Sequence, residues 1–190
     1  MTYVGAYAFY KTGISTVTLN QGLTEIGEYA FALTKLTSIS IPASVEHIRA
    51  YALSTGTLSQ ILFAEGTPSE NGLIIYNYAF VGTSISEITL PAHLRLIGEF
   101  NAEFSYHTVT DVFYQTLKIP AGMTDNTKLA KIYMPDNSKY YGAKDGILYT
   151  KNEAGDLTEL QFSPKGNTAF LPGVMSRKKQ VIPMLSDLWG

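Results

Sequence analysis

Ile26 to His47 reads IGEYAFALTKLTSISIPASVEH, and the same apolar columns recur upstream in Val4 to Glu25, VGAYAFYKTGISTVTLNQGLTE. Further copies start at Ile48, at Ile75 and, degraded, at Ile97. A 22-residue period with its apolar positions in constant register marks a solenoid, because one such unit cannot bury its hydrophobic face alone and must stack on neighbours. The 190 residues therefore read as one elongated domain and not as two globular ones.

Seven segments share an L-x-x-I-x-I pattern, whose first, fourth and sixth residues are predicted to face the core and whose second, third and fifth face outward. They begin at Ile14, Leu36, Leu58, Ile85, Val109, Leu129 and Leu157. The spacing is regular in the first half and broken by insertions in the second, and insertions in a repeat array map to loops. Pro42, Pro91, Pro120, Pro135 and Pro164 sit at or just after strand ends, where a residue without an N–H does least harm to a ladder. Ahead of the strands runs the column Tyr7-Ala8-Phe9, Tyr29-Ala30-Phe31, Tyr51-Ala52-Leu53 and Tyr78-Ala79-Phe80, predicted as a short helical turn with the tyrosines forming a packing ladder between coils. After the strands, Leu23-x-x-Ile26, Val45-x-x-Ile48 and Leu94-x-x-Ile97 predict a second short strand on the opposite side of the coil, the β-branched bias favouring extended chain over helix.

From Phe100 the register loosens. Further on, residues 146–150 and 157–162 flank the polar turn Lys151–Asp156 and predict a β-hairpin. The tail 175–190 matches no column of the repeat and holds the only Trp, and it reads equally as a cap or as a non-native end. The expected organisation is thus a solenoid over 1–174, regular over 4–97 and irregular over 98–174, followed by the tail.

Composition narrows the function classes. There is no cysteine, which excludes disulfides, thiol nucleophiles and thiolate metal sites. No apolar run is long enough for a membrane span, and no export signal precedes the first repeat. The start inside a repeat favours a segment of an exported protein over a cytoplasmic one. Residues 1–111 carry 4 Lys+Arg against 9 Asp+Glu and residues 112–190 carry 10 against 7, but the basic residues are dispersed through turns, so a nucleic-acid surface is not expected.

The combination of Ile-Gly-x-x-Ala-Phe with Leu-x-x-Ile-x-Ile-Pro, as in IGEYAFALTKLTSISIPASVEHI, together with AKDGILYTKNEAGDLTELQFSPKG near the end, resembles the BspA-type leucine-rich repeats of bacterial surface proteins over residues 4 to 174. The resemblance implies a right-handed, curved, β-rich solenoid of about seven rungs, with short parallel strands and short helical turns. It also implies export within a larger parent protein and adhesion or protein binding, and it supplies no catalytic residues and no cofactor.

The outward fifth strand position runs Thr18, Ser40, Leu62, Thr89, Phe113, Tyr133, Gln161 and becomes apolar and aromatic in the second half, while the third position brings Glu87, Asp111 and Lys131 alongside. Aromatic groups beside charges make interface anchors, so Leu62, Glu87, Asp111, Phe113, Lys131 and Tyr133 form the expected binding surface. The opposing reading is that the insertions fold back over Phe113 and Tyr133. The sharpest enzymatic alternative places Glu87 and Asp111 on adjacent rungs, about 5 Å apart, as a retaining glycosidase pair. An open Ser/Thr-rich sheet offers no pocket to raise a carboxylate pKa, which disfavours that reading. His47, His93 and His107 fall at unrelated repeat positions and lack metal-ligand spacing. The expected partner is a protein such as a host matrix or surface protein, with a glycan or a purely structural spacer role as alternatives. Weak end-to-end self-association through an uncapped coil is also expected.

Overall fold

The computed structural model describes residues 2–76, 78–97 and 129–162, with side chains described up to residue 158. Two strand columns run along the stack. One is a five-stranded parallel sheet made of β1 (Tyr3–Val4), β2 (Glu25–Ile26), β4 (His47–Ile48), β6 (Leu73–Ile75) and β8 (Leu94–Ile97), in that spatial order. Glu25 pairs with His47 and Ile26 with Ile48, so the sequence period is the ladder register. The opposite column holds β3 (Ser38–Ile41) paired in parallel with β5 (Gln60–Phe63), and β7 (Glu87–Thr89) paired in parallel with β9 (Lys131–Tyr133). The β3–β5 and β7–β9 pairs meet where the Ser84 N–H donates to the Leu58 carbonyl at 2.7 Å.

The expected inward positions are the core. Leu36, Ile39, Ile41, Leu58, Ile61, Ile85, Ile88, Leu90, Leu129 and Ile132 are all buried, whereas Thr37, Ser38, Ser40, Ser59, Gln60, Leu62, Glu87 and Thr89 are exposed. The first segment, Ile14–Leu19, keeps this alternation, with Ile14, Val17 and Leu19 packed against the core, but it is not a ladder strand; it is tied to the next coil by the Lys35 N–H on the Ile14 carbonyl.

The Tyr-Ala-Phe turn is not helical, and the backbone explains why. Tyr7, Tyr29, Tyr51 and Tyr78 all have φ between 54° and 58°, the left-handed region. Alternate N–H groups consequently point in different directions. Those of Ala8, Tyr10 and Thr12 close tight turns onto the carbonyls of Gly5, Tyr7 and Phe9, while those of Tyr7, Phe9 and Lys11 reach Glu28, Ala30 and Ala32 of the next coil at 2.8 to 3.0 Å. A helical turn would spend every N–H within its own coil and leave the stack without lateral bonds on this side. Above the turn the tyrosine rings stack at centroid distances of 4.9, 4.6 and 5.0 Å from Tyr7 through Tyr29 and Tyr51 to Tyr78. Beneath it runs a column of buried threonines. The hydroxyls of Thr34 and Thr83 cap the Phe31 and Phe80 carbonyls, and that of Thr55 reaches the Thr34 carbonyl of the preceding coil at 2.7 Å.

The end of the described chain departs from the repeat. Tyr141–Lys144, Ile147–Lys151 and Leu157–Phe162 (β10, β11, β12) form an antiparallel three-stranded sheet, which contains the expected hairpin. Leu157–Phe162 is therefore not a further parallel rung, and Leu157, expected inward, is exposed. This sheet covers the last coil. The Ile132 N–H donates to the Gly146 carbonyl, the buried Tyr141 hydroxyl accepts from the Ile97 N–H at 3.3 Å, and Ile147 and Leu148 are buried. The 174/175 boundary lies outside the described residues.

Two measurements check this account. Ile39→Ala, in the core column, should lower stability by about 2 to 5 kcal/mol in denaturant unfolding. At Tyr51 the usual order of substitutions should invert: both variants lose the stack, but Tyr51→Gly should be more stable than Tyr51→Ala by about 1 kcal/mol, because only glycine adopts the left-handed conformation without strain. Equal stabilities would rule out a strained turn.

Candidate binding face

The outward face of the β3, β5, β7 and β9 column carries the expected site, and the ladder changes its membership. β7 pairs directly with β9, placing Glu87 opposite Lys131 and Thr89 opposite Tyr133. The expectation that Glu87 and Asp111 occupy adjacent rungs is thereby corrected, as is the place of Phe113 next to Thr89 in the fifth column. Residues 109–114 satisfy the same apolar pattern, but the rung is filled by 131–133; Asp111 and Phe113 lie outside the described residues. On its other side β7 faces the coil of β5, whose third position is Gln60. The neighbours of Glu87 along its column are thus an amide and an ammonium, and neither is the second carboxylate that a retaining glycosidase requires.

Glu87, Lys131 and Tyr133 act as one unit. The Lys131 Nζ lies 3.9 Å from the Glu87 Oε1, both side chains being about half exposed, and the Tyr133 hydroxyl donates to the Glu87 Oε2 at 3.4 Å. An exposed pair at this separation adds at most about 1 kcal/mol to stability. Its effect is local: the carboxylate neutralises Lys131 and restrains the Tyr133 ring, which remains 42% exposed. Leu62, two rungs away in the same column, is 48% exposed. Around these two apolar groups lie Ser38, Ser40, Gln60 and Thr89, all exposed polar side chains.

A second cluster, not singled out by the sequence reading, lies on the outer side of the five-stranded sheet. Arg49 donates to Glu25 at 2.9 Å, its guanidinium lies 4.5 Å from the Tyr76 ring centroid, and the Tyr76 hydroxyl is 3.4 Å from the His47 Nδ1. Glu46 accepts from the Ser69 hydroxyl, which anchors the loop that lengthens the third coil. The signal was present in the sequence: Arg49 and Tyr76 stand in the column held by Gly5 and Gly27, and at Gly27 an added Cβ would lie 2.7 Å from the Ala6 nitrogen and the Val4 carbonyl oxygen. The hydrogen bond from Arg49 lowers the Glu25 pKa against the opposing effect of burial, and hydrogen bonds from Ser69 and Asn71 lower that of Glu46. Burial, reinforced by Arg49, lowers the pKa of His47, which Glu25 and Glu46 pull the other way; burial alone lowers that of His93.

Among the described residues no three His, Asp or Glu side chains converge as a metal set, and no helix is long and apolar enough to cross a membrane. His107 lies outside them.

The family follows from this geometry. The model of the BspA type leucine rich repeat region matches in six copies over residues 1–97 and 65–144, and the chain belongs to that family. No curated protein matches it. Among solved structures it is similar to the pneumococcal vaccine antigen PcpA, at 22% identity and a TM-score of 0.64 over 88% of this chain and 36% of that one. It is also similar to a leucine-rich cell surface protein of Faecalibacterium prausnitzii A2-165, at 21% identity and a TM-score of 0.53 over 86% of this chain and 43% of that one. The chain thus spans less than half the length of the structures it resembles, and at these identities the likeness is one of fold.

The histidine and carboxylate shifts fix the sign of a pH dependence. A histidine whose folded pKa lies below its ordinary 6.5 stabilises the neutral folded state, and that contribution is lost as pH falls from 6.5 towards the folded value. Glu25 and Glu46, lowered from 4.5, keep their contribution above that value and lose it below. Urea midpoints should therefore fall monotonically from pH 7.5 to pH 4, and His47→Gln should flatten the first part of the fall; a midpoint that rises on acidification would contradict the assignment.

Proposed function

We propose that this chain is a non-enzymatic protein-binding module of a cell-surface or secreted repeat protein, and that it binds through the outward strand face around Leu62, Glu87, Lys131 and Tyr133. The family membership and the surface description carried by the Faecalibacterium relative support the placement. The observation that carries the site is the change along one column. Ser40 is followed by Leu62, Thr89 and Tyr133, so exposed apolar area appears where the only charges of the neighbouring third column, Glu87 and Lys131, neutralise each other. Interface energy concentrates where aromatic and apolar groups can be desolvated without stranding a charge, and hydroxyl-lined rungs remain better hydrated.

The enzymatic alternative, a carbohydrate-active solenoid using Glu87 and Asp111, is weakened by the ladder that sets Lys131 beside Glu87. Glu87 accepts from Tyr133 and faces an ammonium, an arrangement that holds a carboxylate ionised and offers it no proton to deliver.

The test is binding to a panel of purified matrix and surface proteins by biolayer interferometry. For any protein bound, Tyr133→Ala should cost about 1 to 3 kcal/mol, while Thr18→Ala and Ser40→Ala should cost almost nothing. The unfolding midpoint of Tyr133→Ala should stay close to that of the parent. Uniform losses across all three variants would move the site elsewhere. Hydrolysis of a glycan by the parent but not by Glu87→Gln would replace the proposal with the enzymatic one.

A further inference from the structure

We infer that the strand face takes its protein partner as an uncharged, proline-rich segment in polyproline II conformation, laid along the solenoid axis across Leu62 and Tyr133. The inference rests on the reading that this face binds a protein, and it adds the chemical class and backbone conformation of the segment recognised.

Spacing is the first argument. Leu62 and Tyr133 occupy the same column two rungs apart, with Thr89 between them, which sets their separation along the axis at about 10 Å. A polyproline II helix advances about 9.3 Å per three-residue turn and returns side chains i and i+3 to the same face. An extended strand puts same-face residues at about 6.7 and 13 Å and fits neither interval. An α-helix meets the distance only over two turns, at about 10.5 Å between i and i+7.

Hydrogen-bonding capacity separates the two candidates that fit. The polar groups bordering the apolar pair, Ser38, Ser40, Gln60 and Thr89, are exposed and able to donate. A polyproline II backbone keeps its carbonyls unbonded and can accept from them. An α-helix has spent its backbone groups internally and would set apolar side chains against those hydroxyls. Tyr133 adds an aromatic surface whose orientation Glu87 restrains, the kind of surface on which pyrrolidine rings dock. The charge state completes the description: Glu87 and Lys131 satisfy each other, so a charged segment gains nothing here. A sugar chain would need a flat aromatic platform at both ends of the interval, and Leu62 does not provide one.

The experiment titrates the chain with an acetylated decaproline amide and follows the backbone amide signals. The comparison probes are a capped helical peptide with leucines seven residues apart, and chitohexaose. Decaproline is expected to shift Leu62, Thr89 and Tyr133 saturably, with little change across a tenfold range of salt. Leu62→Ala and Tyr133→Ala, both outward substitutions, should each weaken it about tenfold. Absence of saturable shifts at these residues overturns the inference, as does binding of the helical peptide or the chitohexaose there in place of decaproline. A matrix protein that still loses affinity on Tyr133→Ala while decaproline does not bind would leave the binding face standing and remove only its polyproline specificity.

Discussion

The stack depends on one backbone device, the left-handed tyrosine of each Tyr-Ala-Phe turn. Left-handed φ at a non-glycine residue costs about 1 to 2 kcal/mol, and the chain accepts that cost in four successive coils. What offsets it is visible on both sides of the backbone. Turning each Tyr over redirects alternate N–H groups so that one set closes the coil and the other bonds its neighbour. The same rotation projects the rings into a continuous stack at 4.6 to 5.0 Å, each contact adding about 0.5 to 1.5 kcal/mol beyond burial. Because both gains need an adjacent coil, the turn is favourable only inside an array. An isolated repeat would carry the strain without the return.

That device sets the coil-to-coil distance, and the other columns follow from it. Phe9 stacks on Phe31 at 5.2 Å beneath the tyrosines, Thr55 links its coil to the one before, and the inward residues of both strand columns close the core between them. Outward positions are then free of packing duties. They vary from rung to rung while the core does not, as expected of a scaffold whose stability and recognition are carried by different residues.

The core columns, the second parallel sheet and the terminal hairpin were legible in the sequence because each is a repeated or alternating apolar pattern, and period determines which side of a strand is buried. The turn was not. Tyr-Ala-Phe has the composition of a short helical turn, and a tyrosine at positive φ runs against the propensity that a sequence reading relies on. The partner of β7 was not legible either: VTDVFY at 109–114 and LAKIYM at 129–134 satisfy the same template, and pattern alone cannot choose which stands beside Glu87–Thr89. The face was therefore anticipated in kind, with Leu62, Glu87, Lys131 and Tyr133 brought to one surface and Asp111 and Phe113 displaced from their expected rungs. The Arg49–Tyr76 cluster was legible in principle, as a break in the glycine column. A repeat invites attention to what recurs, and here the departure from the repeat marks the polar chemistry.

The same reasoning explains why the two charged clusters differ in character. On the five-stranded sheet, Glu25, His47, Arg49 and Tyr76 come from three successive coils and are partly buried, so their pKa values move and their contacts bind coil to coil. On the opposite column, Glu87 and Lys131 are half exposed on the two strands of a single ladder, and water screens them from one another. A pair of that kind adds little to folding, but it removes net charge from the surface beside Tyr133 and Leu62. A half-exposed aromatic ring next to an unpaired cation would favour anionic partners; next to a neutralised one, shape and apolar area decide what binds. Discrimination by this face therefore falls to the spacing of its two apolar side chains and to the hydroxyls around them, both of which are set by the rung spacing that the left-handed tyrosines hold.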